Sequence, residues 1–214
     1  MKTMIAALLL CSASSSFAAK PAPYEARDYS SLTAYGIFSS TMLENHFKLY
    51  RGYVTNTNAL LERLDTLERE GKSGSQEYGE LKRRFGWEFN GMRLHELYFD
   101  NLGPSPLPAG SKLRAALAAQ HGSFETWQES FLALPKVRGI GWAALVHDRQ
   151  AGRLFNVWIN EHDSGVPAGA EVLLIMDLFE HAFITDYQLD KAAYAKAFWA
   201  AIDWAEAEKR FLGK

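Results

Sequence analysis

One cysteine, Cys11, occurs in 214 residues. That excludes an internal disulfide and any metal site built on several thiolates. Proline is scarce over most of the chain: five of the seven prolines lie in two short stretches, KPAPYE (20–25) and GPSPLP (103–108). Positive and negative charges nearly balance, at a formal net charge of −2 with no long block of one sign. Nucleic acid is therefore not an expected partner. No apolar run reaches the roughly 20 residues that a membrane-spanning helix needs.

What is present begins with a leader. Lys2, the apolar run Met4 to Leu10, and Ser16 and Ala18 placed for cleavage after Ala18 or Ala19 follow the order of a secretory signal peptide over residues 1–19. Leu10, before Cys11, is not the small residue that a lipoprotein site carries. Cleavage would remove Cys11, so the mature chain would bind any metal through nitrogen and oxygen. The expected location is periplasmic or secreted, with no membrane anchor after signal cleavage.

The mature chain reads as α+β, with an N-terminal antiparallel helical hairpin followed by a small three-stranded antiparallel sheet flanked by helices. Residues 20–100 form the hairpin. Leu60, Leu61, Leu64 and Leu67 recur at helical spacing in a segment from Ser31 to about Glu70, GKSGS interrupts it, and a second helix runs from Gln76 to about Phe99. The Pro- and Gly-dense stretch NLGPSPLPAGS (101–111) marks a boundary, and residues 112–214 form the second unit. There, Lys112 to Gln120 and Phe124 to Leu134 read as short helices. GWAALVHD and RLFNVWIN pair as a hairpin around RQAG, and EVLLIMD supplies a third strand. A last helix is expected from about Lys191 to Phe211.

EVLLIMD runs directly into LFEHAF, so Asp177, Glu180 and His181 follow an apolar strand. Carboxylates and an imidazole at a core edge need partners, and a divalent first-row cation accepts both ligand types. A polar turn satisfied by backbone and water is the other reading of these residues alone. Of the six histidines, His46 lies in the first helical arm and His95 in the second. One imidazole from each arm, with Asp177 and His181, would make a three-histidine, one-aspartate site between the two units.

Several motifs carry a resemblance. TMLENHFKLYRGYV (41–54), NGMRLHELYF (90–99), HGSFETWQESF (121–131), RGIGWAALV (138–146) and DLFEHAFITDY (177–187) occur in an order and at a spacing similar to the iron/manganese superoxide dismutase family. The resemblance covers about Ser31 to Phe211. It implies one iron or manganese ion per subunit, superoxide as substrate and a homodimer. It places His95, Asp177 and His181 on three of the family's four metal ligands. A match without gaps puts Asn45 on the fourth position, with His46 one residue later, a turn of about 100° on a helix. Either a local bulge brings His46 round or the site is built differently; His46 is preferred because imidazole is the better ligand.

The resemblance also gives Tyr53 as the gateway tyrosine. His162, in INEHDS, falls near the position where relatives place Gln or His against the metal's solvent, and Glu180 is the residue that reaches the partner's ligand histidine. Three departures stand out: Phe179 replaces the hallmark Trp, and Leu49 and Ile184 replace a His/Tyr pair that meets across the dimer. Asn45, Leu49 and Ile184 motivate an alternative, a metal-binding protein of the same fold that has lost turnover. A metal hydrolase is a further reading of His and Asp ligands alone. Arg93 and Lys191 are candidate cations for attracting a small anion.

Overall fold

The structure, a computed structural model, describes residues 21–214. The signal peptide expected over residues 1–19 lies outside them. Helix α1 spans Ser40–Arg69 and α2 spans Gln76–Asp100; they pack side by side as the expected hairpin. Each starts at a serine whose hydroxyl accepts a first-turn N–H, Ser39 from Met42 and Ser75 from Tyr78. The Ser39 hydroxyl also donates to Asp186, so the start of α1 is tied to the far end of the chain.

After the linker come α3 (Lys112–His121) and α4 (Phe124–Phe131), then strands β1 (Gly141–Asp148), β2 (Arg153–Asn160) and β3 (Glu171–Asp177). The sheet is antiparallel in the order β2-β1-β3, with β1 central and almost wholly buried. All three strands coincide with the apolar segments read from the sequence. Beyond β3 lie a single 3-10 turn (Glu180–Ala182), the short α5 (Ile184–Tyr187), α6 (Lys191–Ala200) and α7 (Trp204–Phe211). One hydrophobic core runs across both halves, joining Leu43, Phe47 and Phe99 of the hairpin to Leu145, Leu174 and Met176 of the sheet.

Helical content departs from expectation in three places. The first helix does not begin at Ser31: a 3-10 turn, Ser30–Tyr35, ends at Gly36 in the left-handed region (φ 63°), and α1 starts afresh at Ser40, capped by Ser39. Helix α4 stops at Phe131, and a 3-10 turn at Leu134–Lys136 takes over where Pro135 has no N–H to donate. The C-terminal helix is two helices. Between them Ile202 bridges Leu102, the Gly103 N–H donates to Ala201 O (2.9 Å) and the Asp203 N–H to Asn101 O (2.9 Å). The Asp203 carboxylate then caps α7. The linker thus supplies the hydrogen bonds that a continuous helix would have made internally.

Asn101, at the end of α2, fixes the register that matters for the site. Its side chain accepts from the Ile175 N–H (3.0 Å) and donates to Ile175 O (3.2 Å), acting as a strand partner for β3. Two residues beyond Ile175 is Asp177; six residues before Asn101 is His95.

Candidate metal centre

Asp177 ends β3, fully buried, and its Oδ2 is the point on which three imidazoles converge. His46 Nε2 and His181 Nε2 each lie 3.1 Å from it, and His95 Nε2 lies 3.7 Å away. One donor atom from each of the four residues falls within 4.8 Å of all the others. Asp177 Oδ1 accepts the Phe179 N–H (2.9 Å), which holds the carboxylate across the strand end. The structure therefore brings together the four candidate ligands read from the sequence.

His46 reaches this point without a bulge. Helix α1 is α-helical from Ser40 to Arg69, His46 is buried and Asn45 is exposed. The expectation of a local bulge is corrected by simple periodicity. Seven residues separate His46 from Tyr53, about two turns, so a regular helix puts both on one face. This helix is one residue shorter between ligand and tyrosine than the gapless match assumed.

The donor set fits a cation. His95 Nδ1 bonds the carbonyl oxygen of Gly91, one turn earlier on α2. That carbonyl can only accept, so Nδ1 carries the proton and Nε2 keeps its lone pair. Nε2 is fully buried and has no hydrogen-bond partner, an arrangement costly for a polar atom unless something else occupies the space. Burial pushes His46 and His95 below the usual imidazole range, so both are neutral and able to ligate. Burial would raise Asp177, but the charge and hydrogen bond of His181 and the hydrogen bond of His46 outweigh it. The carboxyl is held well below its usual range.

Around the four ligands lies an aromatic shell. Trp142 of β1 packs edge-on to His95 (5.1 Å between ring centres), and Phe179 stacks on His162 (4.6 Å) and on His181 (5.3 Å). Tyr53 Oη and His162 Nε2 are 2.7 Å apart, and the Trp142 indole N–H donates to His162 Nδ1 (3.1 Å). His162 is buried, and Asn90 of α2 bonds its backbone carbonyl (2.9 Å). Gly91 makes this arrangement possible: a Cβ there would stand 2.5 Å from the Tyr53 ring.

This set of motifs and contacts has relatives. The family described as iron/manganese superoxide dismutases, C-terminal domain, matches residues 108–210. The iron superoxide dismutase of Saccharolobus solfataricus is 32% identical over 179 residues, 80% of this chain and 84% of the relative. That of Pyrobaculum aerophilum is 32% identical over 194 residues, 89% of each chain. Manganese superoxide dismutase 2 of Haloferax volcanii is 32% identical over 198 residues, covering 92% of this chain and 96% of the relative. The chain belongs to the iron/manganese superoxide dismutase family.

Within this superoxide dismutase fold, the other residues singled out from sequence fall as follows. Tyr53 and His162 meet beside the metal centre. Glu180 sits on the 3-10 turn next to His181 and is exposed, and its carboxylate has no hydrogen bond or ion pair among the described residues. Arg93 is not free to attract an anion: it pairs with buried Glu96 (2.6 Å) and lies over Tyr24 and Phe89. Lys191 donates to Gly139 O (3.2 Å) and rests near the Phe183 ring. Among the described residues, Arg84 is a cation whose charge reaches both Tyr53 and His162. It lies over the Trp87 ring (4.9 Å), whose edge meets His162 (5.0 Å). Arg84, Trp87 and Trp142 were not assigned roles from sequence. Their signal is weak, because an Arg in KRRFGW looks like any solvated helix charge until the fold brings residue 162 beside it.

Proposed function

We propose that this chain is a superoxide dismutase that takes up one iron or manganese ion per subunit at His46, His95, Asp177 and His181. The observation that carries the reading is the buried convergence of four donor atoms within 4.8 Å of one another, with His95 Nε2 otherwise unpartnered. When bound, the ion supplies the reversible one-electron change by which one superoxide is oxidised to dioxygen and the next is reduced to hydrogen peroxide.

The chain's own groups do the rest. Asp177 offsets part of the cation's charge, and neutral imidazoles complete the set without further anions. Trp142 and Phe179 exclude bulk water from the ligand rings. Tyr53 remains a phenol, since burial pushes its hydroxyl up to about 12, and so keeps a proton beside the pocket. Arg84 provides local positive charge for a small anion, tempered by its ion pair with Glu88. Export to the periplasm or the medium, guided by the leader, is part of this proposal. So is a homodimer built on the face that carries Glu180, with Ile184 and Leu189 exposed nearby.

The test is superoxide consumption by purified protein loaded with iron or manganese, with metal content measured in parallel. Turnover in the wild type, and loss of both metal and turnover in Asp177→Ala, support the reading. A fully metallated wild type without turnover would overturn it in favour of the binding-protein alternative that Leu49 and Ile184 motivate.

A further inference from the structure

Two hydrogen bonds on His162 have a direction that the atoms themselves decide. The indole of Trp142 has one N–H and no acceptor, and it points at Nδ1 of His162 from 3.1 Å. Nδ1 must therefore present a lone pair. A hydrogen on Nδ1 would face the indole hydrogen, which excludes both the other neutral tautomer and the imidazolium. The single proton of a neutral imidazole is then on Nε2, 2.7 Å from Tyr53 Oη.

We infer that Trp142 is a positioning residue: it holds His162 as the Nε2–H tautomer, so that Tyr53 Oη accepts from His162 and has only its own hydrogen to give to an occupant of the pocket. The inference rests on the proposed function for the nature of that occupant, an oxygen anion or water, but not for the direction of the bonds. It assigns distinct roles to two residues that sequence comparison treats alike. A primary amide at position 162 would have two N–H groups and could serve Tyr53 and a second acceptor together. An imidazole has one, and here Tyr53 takes it. His162 therefore makes no direct donation to anything bound at the ligands, and Tyr53 is the donor. Supporting this, burial lowers His162 to about 4, so it is neutral near pH 7. The Tyr53 ring lies 5.2 Å from that of His95, which keeps the hydroxyl close to the metal ligands.

The tautomer can be read by nitrogen-15 NMR of the imidazoles in protein loaded with diamagnetic zinc, which needs no superoxide. The expected wild-type result is a protonated Nε2 and an unprotonated Nδ1 on His162. Tyr53→Phe, nearly isosteric, should keep that pattern, because Trp142 sets it. Trp142→Phe should lose it and give mixed tautomers. A protonated Nδ1 in the wild type overturns the inference, as does a tautomer switch in Tyr53→Phe or an unchanged tautomer in a folded Trp142→Phe. Should Trp142→Phe not fold, the wild type and Tyr53→Phe still decide. Failure of the iron- or manganese-loaded protein to consume superoxide, with the Nε2–H tautomer intact, would sink the proposed function and leave the hydrogen-bond direction standing.

Discussion

His95 Nδ1 is hydrogen-bonded to the carbonyl oxygen of Gly91, and the Cα of the same glycine lies under the ring of Tyr53. One residue of α2 thus orients a ligand through its backbone and admits the tyrosine through its missing side chain. In Gly91→Ala the backbone bond survives, but the new methyl would stand 2.5 to 2.8 Å from Tyr53 ring carbons. Helix propensity favours alanine by up to about 1 kcal/mol, whereas overpacking costs about 1–3 kcal/mol, so the net change in stability should be small and unfavourable. The expected outcome is near-normal metal content with superoxide turnover reduced, because Tyr53 is displaced from His162. Turnover equal to wild type would show that the Tyr53–His162 contact does not matter to the reaction.

The two-turn separation of His46 and Tyr53 turns His46, and not Asn45, toward the candidate metal centre. His46→Ala should weaken iron or manganese binding by about 100-fold or more, since even partners behind the ligands typically contribute 10- to 100-fold. Asn45→Ala, at an exposed position, should leave the affinity unchanged. Equilibrium metal binding on both variants, with circular dichroism to confirm folding, checks this. Normal affinity in His46→Ala would remove it from the site.

Much of this was legible before the fold was known, for reasons that differ by element. The three strands are uninterrupted apolar or alternating segments bounded by turn residues, so local pattern alone delimits them. His95, Asp177 and His181 sit in motifs that resemble the family's without a gap, Phe179 for Trp being the departure between Asp177 and His181. His46 was ambiguous because a template spacing of eight competed with a helical period that favours seven, and only the period is physical. The break at Ala201–Asp203 was hidden because its hydrogen-bond partners, Asn101 and Gly103, lie about 100 residues earlier in a linker with no pattern of its own. Arg93 looked like a free cation because nothing in the sequence says that Glu96, one turn on, is buried beneath it.

The leader reading has a direct check. Mass spectrometry of the protein from its native host should find a mature start at Ala19 or Lys20. Segment 21–29, just beyond, is already docked on the hairpin: Tyr24 N–H donates to Asn58 (2.8 Å) and Arg27 N–H to Tyr50 Oη (3.0 Å). Soluble protein retaining Met1 would contradict export.

Glu180 offers a test of the dimer. In one chain it is exposed, beside an His181 whose side chain is itself 25% accessible. Leu189 is 87% exposed and Ile184 46%, which is unfavourable for large apolar groups in water. Sedimentation should find a dimer, and Glu180→Ala should shift it toward monomer and raise metal loss. A wild type that sediments as a monomer at micromolar concentration would defeat this part of the proposal.

Away from the metal centre, His147 predicts an acid-sensitive element of stability. It lies on β1, buried, its Nδ1 has no hydrogen-bond partner, and its ring packs on Phe211 of α7 (5.2 Å). Burial, with Arg149 nearby, holds it below the usual imidazole range, while Glu171 and Asp148 oppose the shift. The sign follows from proton counts. As pH falls through about 6.5 the unfolded chain takes up the proton first, so stability declines from there down to the lowered folded-state value and levels off below it. Arg149 holds the same corner, through Glu171 and the backbone oxygens of Arg210 and Phe211, so a second cation there would loosen α7. Thermal unfolding of the wild type should therefore show a lower midpoint near pH 5 than near pH 7. His147→Gln, which cannot titrate, should reduce that difference without altering metal content, the buried His46, His95 and His162 contributing the remainder with the same sign. An equally steep pH dependence in His147→Gln would assign the acid sensitivity to other groups.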